Sequence, residues 1–159
     1  MIGTISRKDK IMLQVSKINP QIGYYLAGFA DGEGSLMIVA RKRPDYQAGW
    51  KISLCFNVAQ KESYILSQFK KHLACGTLRT RQDGVSYYEV NNITAIIENV
   101  IPFFQEFNFL SQNKKKQFAI FVQAAKIIQA KEHLTEEGRN KIIALRKEIN
   151  RGGKIRNEF

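Results

Sequence analysis

Between residues 35 and 90 the chain alternates apolar and polar positions in two pairs of segments, with a helical stretch between the pairs. In residues 35–43, Leu36, Ile38 and Ala40 fall on one side and Met37, Val39, Arg41 and Arg43 on the other, the period of two that marks a strand. Residues 44–49 read as a hairpin connection. In residues 50–59, Trp50, Ile52, Leu54, Phe56 and Val58 then face a core while Lys51, Ser53, Cys55 and Asn57 face outward. The period changes from about Glu62 to Leu73, where Tyr64, Ile65, Leu66, Phe69 and Leu73 form the apolar side of a helix and Lys70 and Lys71 lie opposite. Asp83-Gly84, set between residues 77–81 and 86–90, has the chemistry of a tight turn and predicts the second hairpin.

Helices flank these hairpins. Asn19 is placed to cap one and Pro20 suits its first position, where the missing N–H costs nothing. Asn92 predicts a helix to about Val100, after which Pro102 forces a break or a fresh start, and Phe103, Phe104, Phe107 and Phe109 make an apolar connection. Lys114-Lys115-Lys116-Gln117 opens another helix with Phe118, Phe121, Ala125 and Ile128 as its buried stripe, and Thr135 caps a last one reaching about Asn150. The order helix, hairpin, helix, hairpin, helices is an α+β domain: an antiparallel four-stranded sheet covered by helices on one face and open on the other. Its limits are expected at 19–150. Residues 1–18 are expected to form a basic N-terminal arm, weakly packed or alternatively lying on DNA, and 151–159 a loose basic tail.

Charge narrows the function. The chain has 25 Lys and Arg against 14 Asp and Glu, a net +11, which points to a polyanion, nucleic acid first. No stretch has the length of a membrane span, and the Ile11-Met12-Leu13 patch is too short for a secretory signal, so a membrane partner and secretion are not expected. Cys55, Cys75, His72 and His133 lack metal-ligand spacing, and two unpatterned thiols suit a reducing compartment.

Strand parity says what the open face would present: Arg41, Arg43, Lys51, Ser53, Asn57, Thr77, Arg79, Arg81, Tyr87 and Glu89, with Tyr46 in the first hairpin connection. Alternate strand residues lie about 7 Å apart and base pairs rise about 3.4 Å, so each outward side chain covers roughly two pairs. Arginine at guanine, asparagine at adenine and glutamate at cytosine would specify bases, with lysines on phosphates. Five cations opposed only by Glu89 favour a DNA surface over a merely solvated one.

The run Tyr24-Tyr25-Leu26-Ala27-Gly28-Phe29-Ala30-Asp31-Gly32-Glu33-Gly34-Ser35 stands apart from this patterning. Ala27 and Gly28, with Tyr24 and Asp31 at helical spacing, form a flat stripe suited to close contact with another backbone. Asp31 and Glu33 stand at a helix C-terminus, where carboxylates face the negative end of the dipole and cost stability unless a cation answers them. Carboxylate and carbonyl oxygens are the ligands magnesium prefers, which makes Gly32 and Glu33 a candidate metal site; a glycine-rich turn with solvated acids is the plainer alternative.

Leu26-Ala27-Gly28-Phe29-Ala30-Asp31-Gly32-Glu33-Gly34 resembles the LAGLIDADG motif of homing endonucleases, and from about residue 21 to 128 the chain resembles a single-motif member of that family. The resemblance implies the αββαββα fold with its sheet as a DNA-binding saddle. It also implies a homodimer whose motif helices touch through Tyr24, Ala27, Gly28 and Asp31, each with Glu33 and the Gly32 carbonyl on Mg2+. Such a dimer would break both strands of a long pseudopalindromic site across the minor groove, leaving short 3′ overhangs. Gln60 matches the position that helps hold the water network, and Lys114 the basic residue near the scissile phosphate. Glu33 replaces the usual Asp, and Tyr64 stands where related chains often carry arginine, a contact Lys61 or Lys115 could replace. Such chains are encoded in introns of organellar or bacterial genes, which implies a chloroplast, a mitochondrion or the bacterial cytoplasm. The same fold also serves intron RNA maturases and, with eroded acids, DNA-binding regulators that do not cut; intact Asp31 and Glu33 argue against the regulator.

Overall fold

The computed structural model describes residues 12–46 and 49–151. Helix α1 (Pro20–Glu33) starts as expected: the Asn19 side chain accepts the Gln21 N–H at 2.9 Å and proline occupies the first turn. It passes without a loop into β1 (Gly34–Lys42), because Gly34 adopts an extended conformation immediately after the helix. A Cβ on Gly34 would lie 2.7 Å from the Ala30 carbonyl oxygen, so this join depends on the missing side chain.

β1 pairs antiparallel with β2 (Trp50–Gln60), and β2 pairs with β4 (Ser86–Val90), which pairs with β3 (Thr77–Thr80). The sheet order is therefore β1-β2-β4-β3. Helix α2 (Ser63–Leu73) links the hairpins, and the Glu62 carboxylate caps it by accepting the N–H groups of Tyr64 and Ile65. One face carries Leu36, Ile38, Leu54, Phe56, Val58, Tyr88 and Val90 into a core completed by Leu26, Phe69, Phe103, Phe104 and Phe121. The Phe56 ring meets Phe69, Tyr88 and Phe104 edge to face, so aromatic contacts lock the helices to the sheet. The result is the expected α+β arrangement, helices on one face of an antiparallel four-stranded sheet.

Pro102 marks a fresh start, as expected, with no loop before it. Residues run through α3 (Ile93–Ala95), a π-helical turn (Ile96–Val100) and α4 (Ile101–Glu106), with proline in the first turn of α4. A proline has no N–H for the carbonyl four residues earlier, here that of Glu98, and the widened turn sits just before it. The Leu13 N–H takes that carbonyl at 2.9 Å instead. The second half of the expected loose arm is thus docked: Leu13 and Ile18 pack on the core around a short 3-10 turn, Val15–Lys17. Phe103 and Phe104 lie within α4, Phe107 and Phe109 lie in the connection to α5, and all four are core residues.

Helix α5 (Gln112–Gln129) starts at Ser111, and the Thr135 hydroxyl accepts the Gly138 N–H at 3.0 Å at the head of α6 (Glu136–Arg151). Arg151 ends that helix. The rest of the basic tail, residues 1–11 and the hairpin residues Gln47 and Ala48 lie outside the described residues. No helix among the described residues is long and apolar enough to cross a membrane.

Candidate active site and nucleic-acid interface

The two motif carboxylates have different fates. Asp31 is bound within its own chain: Oδ2 accepts the N–H of Leu110 at 2.9 Å and of Ser111 at 2.8 Å, and the Ser111 hydroxyl donates to Oδ1. Burial works against its ionised form, but these hydrogen bonds and the Lys114 charge prevail and hold the carboxyl below its ordinary value. The C-terminal end of α1 is therefore stapled to the N-terminal end of α5, where exposed N–H groups favour an anion. Asp31, expected in a helix-to-helix contact, thus has its hydrogen-bond partners inside its own chain. Glu33 is exposed and makes no ion pair among the described residues.

The small-residue stripe divides as well. Ala27 is 1% exposed, in the core beside Leu26 and Ala30, and is thereby removed from any outward contact; helical periodicity turns Gly28 away from that core. Gly23, buried against the Phe107 ring, is the small residue that permits internal packing. A Cβ added at Gly28 or Gly32 would meet nothing within 4 Å, and Tyr24 and Tyr25 are 58% and 61% exposed. The free face of α1 is thus Tyr24, Tyr25, Gly28 and Gly32.

Topology gathers the three expected catalytic residues at one end of the sheet. Gly34 pairs with Val58, so Gln60 lies two positions further along β2, level with the end of α1. Lys114, in the first turn of α5, donates from Nζ to the Gly34 carbonyl at 2.6 Å. Burial pushes its pKa down, and the Asp31 charge partly opposes that. Lys116 lies elsewhere, beside Ala144, Lys147 and Arg151 of α6. Tyr64 is 68% exposed on the first turn of α2, just beyond Gln60. Among the described residues no three His, Cys, Asp or Glu converge on a possible metal position. One chain offers Glu33 and nearby carbonyl oxygens, which are hard donors suited to a divalent cation but only part of a coordination shell.

The open sheet face follows the expected parity. Cross-strand rows join Arg41 to Lys51, Ser35 to Asn57, Asn57 to Glu89, Glu89 to Thr77, and Tyr87 to Arg79. A concavity of about 300 Å³ is lined by Arg41, Arg43, Lys51, Ser53 and Glu89 together with Met37, Val39, Cys55 and Asn91. The last four are not among the DNA-facing residues expected from sequence. Parity could have supplied Met37, Val39 and Cys55, whereas Asn91 lies one residue past its strand and donates from Nδ2 to Glu89 at 3.0 Å. Cys55 is only 7% exposed although it shares the outer face, and burial with the Glu89 charge pushes its thiol up to about 12. The balance of five cations against Glu89 also changes, because Asp45 pairs with Arg43 at 2.8 Å and Asp83 pairs with Arg81. Tyr46 is exposed at the first hairpin, with the Arg43 guanidinium 5.7 Å from its ring centre.

Comparison with known proteins agrees with this architecture. The sequence profile described as LAGLIDADG endonuclease matches residues 26–125. Probable intron-encoded endonuclease 2 of Neurospora crassa is 33% identical over 133 residues, which is 82% of this chain and 28% of that protein. DNA endonuclease I-CreI of Chlamydomonas reinhardtii is 31% identical over 101 residues, covering 62% of this chain and 61% of the relative. The solved structure of I-SmaMI bound to uncleaved DNA target in the presence of calcium ions superposes with a TM-score of 0.77 at 27% identity, over 87% of this chain and 47% of that one. This chain spans about a quarter of the Neurospora protein, 28%, and under half of I-SmaMI, 47%.

Proposed function

We propose that this chain, which belongs to the LAGLIDADG endonuclease family, is an intron-encoded endonuclease that makes a site-specific double-strand break in DNA. The observation that carries the reading is the exposed Glu33, without an ion pair among the described residues, at the same end of an open, cation-bearing sheet as Gln60 and Lys114. Glu33 and the Gly32 carbonyl would hold the divalent cation, for which magnesium is the proposed ion; when bound, it supplies charge neutralisation at the scissile phosphate and activation of water. Gln60 positions that water. Lys114, held at the Gly34 carbonyl, keeps a cation beside the phosphate.

A single chain supplies one carboxylate, and hydrolysis on both strands needs the arrangement twice. A second copy packed through Tyr24, Tyr25, Gly28 and Gly32 would bring both Glu33 side chains to the centre of the DNA site, with one sheet over each half of a pseudopalindrome. A relative named as intron-encoded supports the same setting for this chain. Their endonuclease names and the unpaired Glu33 favour cutting over RNA maturation or regulation without cutting.

The test uses DNA fragments spanning intron insertion sites, in magnesium and in calcium, with the wild-type chain and Glu33→Gln. Specific breaks in magnesium that vanish in the variant, with specific binding in calcium retained, are expected. Specific binding without breaks by the wild-type chain would instead make it a regulator, and binding to intron RNA alone a maturase.

A further inference from the structure

The two hairpins end in the same device. Each opens with an arginine whose carbonyl accepts the N–H three residues on: Tyr46 to Arg43 at 3.1 Å, and Gly84 to Arg81 at 3.0 Å. In each, the aspartate two residues after the arginine receives both Nε and Nη2 of the guanidinium. Arg43 donates to Asp45 at 2.8 Å from both nitrogens, and Arg81 donates to Asp83 at 3.3 Å from Nε and also from Nη2. The intervening residues, Pro44 and Gln82, have nothing in common.

Stability does not account for the repetition, since exposed ion pairs contribute little to it. Donor geometry does. A guanidinium has five N–H groups, and a carboxylate on Nε and Nη2 leaves two on Nη1 and one on Nη2, which form an end-on fork. That fork matches the O6 and N7 of guanine in the major groove. Meanwhile the neighbouring carboxylate cancels most of the charge that would draw the arginine to a phosphate. Each aspartate thus turns an arginine from backbone contact toward base reading. Further contacts hold the parts in place: Asp83 Oδ1 also accepts the Val85 N–H at 3.1 Å, and Arg43 lies over the Tyr46 ring.

The register sets where these forks stand. The Arg43 turn lies beyond Trp50 at one end of β2, and the Arg81 turn lies beyond Gln60 at the other, the end that carries Glu33. The strand between has 11 residues, about 35 Å, or roughly ten base pairs. Resting on the DNA-endonuclease reading above, we infer that Asp45 and Asp83 are positioning residues that aim Arg43 and Arg81 at guanines near the outer and inner ends of each half-site.

The test is selection of bound sequences from randomised duplex DNA in calcium, for the wild-type chain, Asp45→Asn and Asp83→Asn. Asparagine keeps an oxygen for the Val85 N–H but cannot accept both arginine donors. Wild type should prefer guanine at two positions about ten base pairs apart, and each variant should lose preference at one of them by on the order of tenfold. Non-specific binding should hold or tighten, with a salt slope up to about one phosphate steeper. Unchanged preference in both variants, or equal loss of specific and non-specific binding, overturns this inference while leaving the endonuclease reading intact. A wild-type chain with no sequence preference overturns both.

Discussion

Replacing Asp31 with asparagine tests the staple between α1 and α5. The carboxylate accepts three hydrogen bonds, two from backbone N–H groups and one from the Ser111 hydroxyl. Asparagine offers one oxygen, and its amide group would confront a donor. Hydrogen bonds to charged groups are worth about 1.5–3 kcal/mol each when buried, and partial exposure reduces the sum, so a net loss of about 2 kcal/mol is expected. With a urea slope near 2 kcal/mol per molar, the unfolding midpoint should fall by about 1 M. The acid dependence follows from the depressed pKa of Asp31: its contribution is present above the unfolded value, 3.8, and disappears as pH falls through the lower folded value. Wild type and variant should therefore differ by a constant amount at neutral pH and converge below pH 3.8. A midpoint within about 0.2 M of wild type, a small fraction of the expected shift, would refute the staple; a difference that persisted unchanged in acid would show that the ionised carboxylate is not its cause.

Other outcomes follow from the same geometry. Gly28→Leu fills the open face of α1 without touching the core, so sizing should show folded monomers whose melting temperature no longer rises with protein concentration; an intact dimer would remove α1 from the interface. Gly23→Ala, whose Cβ would lie 2.4 Å from the Phe107 ring, should instead destabilise the fold by about 1–3 kcal/mol in urea unfolding. Lys114→Met should abolish cleavage while leaving stability near or above wild type, since it removes a desolvated charge, and retained cleavage would exclude Lys114 from the chemistry. Cys55, with its thiol pushed up from 9.0 to about 12, should be alkylated at pH 8 on the order of a thousandfold more slowly than in urea, as thiolate supply limits that reaction.

Elements governed by local chemistry were legible in the chain, and those governed by distant partners were not. Caps at Asn19, Asn92 and Thr135 and the turn at Asp83-Gly84 act within four residues, so composition and spacing reveal them. Face assignment in the strands needed only a period of two, and the cross-strand register agrees with it. Asp31 carried a visible anomaly, an acid at a helix C-terminus, but the partners that answer it lie 79 and 80 residues away, so sequence could supply the problem and not its solution. Ala27 and Gly28 are both small, and size alone does not say which one a helix turns inward; Phe107 against Gly23 and the core beneath Leu26 decide that rotation. Pro102 is intermediate: its local rule predicts a break or a fresh start, and α4 does start there, but the widened turn before it and the Leu13 N–H on the freed Glu98 carbonyl depend on distant contacts. The motif's two acids therefore separate into unlike tasks: Asp31 spends its charge fixing the start of α5 against the end of α1, while Glu33, at the last position of the same helix, stands exposed with no ion pair among the described residues.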